Sequence, residues 1–157
     1  MIKKFGYLFD GDYFIYAEDL DLGLRIRLLG MKTVQINDAL NFHMHSLTMK
    51  KYSTRYKTTF LLERNLLTTL FRIFSVPTTI KLLAYAMILR VLIISRDILT
   101  LNFKSAAARI TAIISVLISL GRILGKRKKL QSMRNANDDY ILKIFTEKYL
   151  FRKHFNV

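Results

Sequence analysis

From about residue 50 onward the chain is helical in pattern, rich in apolar residues and almost purely basic in charge, a combination that few folds accommodate. Of 26 Lys/Arg and 11 Asp/Glu, six of each fall in residues 1–50, leaving twenty basic and five acidic residues for 51–157. The whole formal net charge of +15 therefore sits in the apolar part. The cations interrupt the apolar runs. Lys81, Arg90 and Arg96 punctuate one run, and Arg109 and Arg122 bracket another, Ile110–Gly121. A bilayer span needs about 20 mostly apolar residues, and a charge at its centre costs about 2.5–3.5 kcal/mol on insertion scales. The pattern predicts helices lying in the membrane interface, apolar face down, with Lys and Arg snorkelling to the headgroups. A soluble helical bundle and a hairpin through the bilayer are the alternatives it leaves open. The charge suits an anionic lipid surface. Nucleic acid is the competing partner for a basic chain. It is set aside because the cations do not cluster beside stacking aromatics.

Length and composition narrow the class further. At 157 residues the chain is one domain or a piece of a larger one. Its 52% hydrophobic content is high against about 45–50% apolar usage in ordinary domains. The absence of Cys excludes disulfides and thiolate metal sites. A single Pro and six Gly argue against a loop-rich or all-β design. The basic start Met1-Ile2-Lys3-Lys4 is followed by no apolar segment of secretory type. No internal repeat is visible.

Residues 5–17 mix aromatics with Gly and Asp and read as an aromatic-anchored loop. Leu20, Leu24 and Leu28 share one face and predict a helix over 18–29, ended by Gly30 with Arg25 and Arg27 in its last turns. Thr33–Ile36 alternates as a strand, and Ala39–His43 is a candidate second one. These elements predict the edge of an α/β domain over residues 1–50, too small to fold alone. Residues 51–157 form a second, basic amphipathic region. Its helices are expected at about 52–74, 77–99, 104–124 and 136–149, with a break at Ser75-Val76-Pro77 and a basic hinge at Gly125–Lys129. Asn135 or Asn137 caps the last helix.

The densest polar cluster is Glu18, Asp19 and Asp21 at the start of the first helix. Free backbone N–H groups and the helix dipole favour carboxylates there. Three acids that simply cap a helix are thus one reading; a carboxylate held for general-base chemistry is the other.

A longer string carries a resemblance. Phe9-Asp10-x-Asp12-Tyr13-Phe14-Ile15-Tyr16 is followed by Glu18-Asp19-x-Asp21-Leu22, then Arg25 and Gly30, then His43-x-x-Ser46, then Glu63-Arg64-Asn65. Over about residues 5–65 this is similar to the carboxy-terminal part of family-2 inverting glycosyltransferases of rhamnosyltransferase type. Their pattern runs FDExFFxYxEDxDLxxRxxxxG, then a strand, HxxS, and an RN pair on a helix. The resemblance implies that residues 1–50 are a remnant of a GT-A domain, the nucleotide-diphospho-sugar transferase fold.

It also implies roles. Asp19 matches the general base that deprotonates the acceptor hydroxyl, and Glu18 is its motif neighbour, placed to orient the acceptor. Asp21 braces the helix with Arg25. His43, in preference to His45, matches a ligand for Mg²⁺ or Mn²⁺. Arg64 is a candidate for the donor diphosphate; its other reading is a helix residue holding Glu63 or the domain surface. Asp10-Gly11-Asp12 belongs to the FDxD string, whereas the family's metal-holding DxD lies upstream.

The implied activity is sugar transfer from a nucleotide-diphosphate sugar to a lipid-linked or polysaccharide acceptor at the cytoplasmic face of the cell membrane. The nucleotide-binding half is not among these residues. The expectation is therefore an inactive isolated chain, completed by a separate amino-terminal stretch. A non-catalytic basic membrane-surface protein, or a nucleic-acid-binding one, is the alternative.

Overall fold

The structure is a computed structural model that describes residues 5–34 and 54–146. Among the described residues every regular element is an α-helix. They are α1 (Glu18–Leu28), α2 (Arg55–Ile73), α3 (Val76–Leu99), α4 (Phe103–Ile118), α5 (Leu120–Gln131) and α6 (Asp138–Thr146).

This corrects the expected α/β remnant of a GT-A domain. The Leu24 and Leu28 stripe of α1 does not lie on a sheet. It is buried with Phe5, Leu29, Ile73, Phe74, Leu130 and Ile141, so that α2, α5 and α6 complete its core. Each leucine so buried contributes about 1.5–3 kcal/mol. Of the expected strands, Thr33 and Val34 are described and belong to no regular element. Residues 35 and 36 and 39–43 lie outside the described residues.

Helix ends follow local chemistry. Gly30 takes φ +74°. Its N–H donates to Arg27 C=O at 2.8 Å and Met31 N–H donates to Ile26 C=O at 3.1 Å, the paired bonds of a Schellman stop. Thr54 caps α2 through Lys57 N–H at 3.2 Å. Pro77 lies in the first turn of α3. Asn137 caps α6, accepting from Tyr140 N–H at 2.9 Å.

The expected hinge at 125–129 is not a hinge. Helix α5 runs through it, and the break falls at Ser119, where α4 and α5 meet at 65°. The helix persists across Gly125 because Ile123 and Leu130 are buried on one side. On another side the Lys126 ammonium and the Arg127 guanidinium are held by Asp10 and the Phe71 carbonyl respectively.

Helix α3 is turned inside out relative to an ordinary surface helix, and α4 buries only small residues while exposing its large apolar ones. Thr79, Ala86, Arg90 and Asp97 of α3 are buried, while Ile80, Ile88, Leu92 and Leu99 are 61–83% exposed. In α4 the buried face is Ser105, Ala106, Ala108, Ala112 and Val116, while Phe103, Ile110, Ile114 and Leu117 face outward. Small inward residues let α4 pack closely on α2. The arginines inside the apolar runs are therefore not all headgroup anchors. Arg90 meets Glu63 at 2.7 Å, and Arg109 joins Glu63 to Asp97.

Candidate functional site

The loop before α1 is wound tightly. Tyr13 N–H donates to Asp10 C=O at 3.0 Å and Ile15 N–H to Tyr13 C=O at 2.7 Å. Asp10 Oδ1 accepts from Asp12 N–H at 3.0 Å, an Asx turn. Phe14, Tyr16 and Ala17 then adopt φ of 59°, 69° and 60°. A left-handed residue with a Cβ costs about 1–2 kcal/mol. Such conformations persist only where the surroundings over-determine them.

The surroundings here are two adjacent residues of α2. Asn65 Nδ2 lies 2.9 Å from Tyr13 O, 2.9 Å from Ile15 O and 2.8 Å from Tyr16 O. Arg64 Nη2 donates to Asp12 O at 2.9 Å and to Tyr13 O at 3.2 Å, while its Nε holds Asn65 Oδ1 at 3.0 Å. The Arg64-Asn65 pair is thus a clamp on the loop backbone. Burial, ahead of the repulsion from Arg122, pulls the Arg64 guanidinium below its usual range.

A charged layer lies under the clamp. Arg25 Nε lies 2.6 Å from Asp21 Oδ2, both side chains being fully buried. The Tyr13 hydroxyl donates to Asp21 Oδ1 at 3.2 Å and shares a 2.7 Å hydrogen bond with Thr69. Burial first, then the Asp21 charge, pushes the Tyr13 phenol well above its usual value. Lys126 of α5 reaches Asp10 Oδ1 at 2.7 Å and Asp12 Oδ2 at 2.6 Å. Burial opposes ionisation of Asp10. The Lys126 hydrogen bond, the Asp12 amide and the Arg72 charge outweigh it and hold the carboxyl at about 2.

The three acids of α1 have three fates. Asp21 is turned inward and braced by Arg25. Asp19 is exposed, and its Oδ1 accepts from Leu20 N–H at 2.8 Å. Glu18 is half-buried, and its Oε2 has no hydrogen-bond partner among the described residues. Glu18 and Asp19 line an open cavity of about 420 Å³ with Phe9, Asp10, Gly11 and Phe14. Phe14 is 85% exposed, so a ring stands in solvent beside two carboxylates.

Of the residues singled out from sequence, Glu18 and Asp19 share this cavity, and Arg64 instead clamps the loop behind it. His43 lies outside the described residues. Asp10 and Asp12 do not fit a divalent ion, because the Lys126 ammonium stands between them. No group of three or more metal-ligating side chains converges among the described residues. The clamping amide of Asn65 and the ammonium of Lys126 carry no local signal of their role. They become visible only when helices distant in sequence are brought onto the loop.

Comparison of the chain with family models, curated proteins and solved structures gives no match.

Proposed function

We propose that the chain is the acceptor-side portion of an inverting glycosyltransferase, with Asp19 as general base. The observation that carries this reading is the clamped, left-handed loop that sets Glu18 and Asp19 beside an exposed Phe14 ring in one open cavity. An exposed ring offers the apolar face of a sugar a flat platform, and a neighbouring carboxylate accepts from its hydroxyls. Asp19 takes the proton of the acceptor hydroxyl as that oxygen attacks the anomeric carbon of the donor. The bond to the nucleoside diphosphate breaks on the opposite side, inverting the configuration. Glu18, whose side chain borders the same cavity, orients the acceptor by a second hydrogen bond. Strain retained in such a loop supports a functional rather than a merely capping role. The resemblance across residues 5–65 supplies the reaction class. No step of this scheme is assigned to a metal ion.

The acceptor half of the proposal is tested on the chain itself. Titration with neutral oligosaccharides, followed by NMR, is expected to perturb the Phe9, Phe14, Glu18 and Asp19 signals. Phe14→Ala is expected to remove the response while the amide spectrum of α2 stays unchanged. A response that survives Phe14→Ala, or that maps to another surface, rejects this cavity as the acceptor site.

A further inference from the structure

We propose that the outward face of the α3–α4 hairpin, tipped by Leu99, Leu101 and Phe103, docks on an anionic lipid bilayer. This surface is separate from the Glu18–Asp19 cavity, and the inference does not rest on the transfer chemistry.

The first support is the inversion of α3 and the apolar outer row of α4. A helix that buries Arg90 and Asp97 and exposes Ile80, Ile88 and Leu92 has its polar side against protein and its apolar side against something else. Helix α4 adds a second exposed apolar row, including Ile114 and Leu117, behind a buried face of small residues such as Ala108 and Ala112. An exposed apolar face on this scale marks a partner or a membrane.

The second support is charge. Between residues 54 and 137 the sequence contains two acids, Glu63 and Asp97. Both are buried, at 9% and 2% exposure, and both are paired to arginines inside the bundle. The outer surface of this stretch therefore carries no carboxylate. Arg55, Lys81, Arg96, Lys104 and Arg122 are all exposed on it. An anionic headgroup layer complements such a rim. The same face of a second copy would bring like charge against like. So would residues 1–4, 35–53 and 147–157, each stretch of which has more basic than acidic side chains.

The third support is the tip. Leu99, Leu101 and Phe103 are 83%, 75% and 59% exposed at the turn joining the helices. Leu101 holds φ 57°, a conformation that a side chain resists. A strained leucine pointed at water gains nothing within the protein. Pointed at acyl chains, it gains burial. No single helix among the described residues is long and apolar enough to cross a membrane, although α4 and α5 pass together by length and composition. Docking in the interface, with the tip as the deepest point, fits helices of this kind.

The test is flotation of the purified chain with vesicles of phosphatidylcholine alone or with added phosphatidylglycerol. Binding is expected with phosphatidylglycerol, weak without it, and reduced by salt. Each of Lys81→Gln and Lys104→Gln is expected to weaken it about fivefold, the ratio matching ~1 kcal/mol per basic residue at an anionic surface. Leu99→Ser combined with Leu101→Ser and Phe103→Ser is expected to abolish it with unchanged helical circular dichroism. The chain has no Trp. Phe103→Trp therefore reports insertion directly, through a blue-shifted emission quenched by brominated acyl chains. Unshifted, unquenched emission from the Phe103→Trp variant, equal binding to both vesicle types, or binding indifferent to the tip variants overturns the proposal. A vesicle-free dimer dissolved by the same tip variants also overturns it, in favour of a self-association face.

Discussion

Arg72 Nη1 lies 2.8 Å from Asp10 Oδ2, the two side chains being 1% and 3% exposed. The pair joins α2 to the loop that carries the candidate site. The same nitrogen is 3.8 Å from Asp21 Oδ1, so one guanidinium serves two carboxylates on either side of the strained turn. Burial opposes the Arg72 charge, but Asp21, Tyr13 and Asp10 together raise its affinity for the proton.

Removing one member of this pair leaves the other buried and charged. Because Lys126 and Arg25 still pair with Asp10 and Asp21, Arg72→Met is expected to destabilise the chain by about 1–3 kcal/mol in denaturant unfolding. A loss under about 1 kcal/mol would mean that water reaches Asp10 and that the pair behaves as a surface one.

Acid stability follows from two carboxylates. Asp10 and Asp138 are both lowered from 3.8 to about 2. At Asp138, burial is outweighed by hydrogen bonds from Ser75, Thr78 and Arg134. A carboxyl lowered by folding adds stability that is complete above its unfolded value and lost as pH falls through its folded value. The chain is therefore expected to lose stability between about pH 4 and 2. Asp10→Asn should lower stability at neutral pH and flatten that acid limb. An Asp10→Asn profile parallel to the unmodified one rules out this origin.

Asn65→Ala removes a donor near three loop carbonyls. The expected cost is about 1–3 kcal/mol for leaving buried acceptors unpaired. Hydrogen exchange should quicken selectively at the amides of the first turn of α1. Uniformly faster exchange across α2 would point to general loosening instead of release of the clamp.

Phe14 separates stability from function. Its φ of 59° favours glycine and its ring buries little surface. Phe14→Gly is expected to stabilise the chain by about 1 kcal/mol, after allowance for the flexibility of glycine in the unfolded state. Acceptor binding should fall at the same time. A variant that is both more stable and equally good at binding would remove the reason for keeping a ring there.

Much of the helical layout was legible in local pattern. Leu20, Leu24 and Leu28 mark α1, Gly30 stops it, and Pro77 starts α3, because each effect acts within a few residues. The α/β expectation failed because Leu24 and Leu28 specify an apolar partner without saying whether it is a sheet or a bundle. Packing against Ile73, Leu130 and Ile141 decided that, over separations local rules do not reach. The basic hinge failed similarly, since Lys126 stays helical by reaching Asp10 and Asp12. The Glu18–Asp19 cluster was visible as acids at a helix start. Their differing exposures were not, because the left-handed turn at Phe14–Ala17 depends on Arg64 and Asn65.

Sugar transfer in cells carrying Asp19→Asn at the native locus puts the base assignment to the proof. Membranes from these cells would be supplied with nucleotide-diphosphate sugars, and labelled lipid-linked or polysaccharide product measured. With protein level and membrane attachment unchanged, transfer is expected to fall about 10²–10⁴-fold, the loss typical of removing a general base. Transfer undiminished by Asp19→Asn would overturn that role and leave Asp19 as no more than a cap on α1.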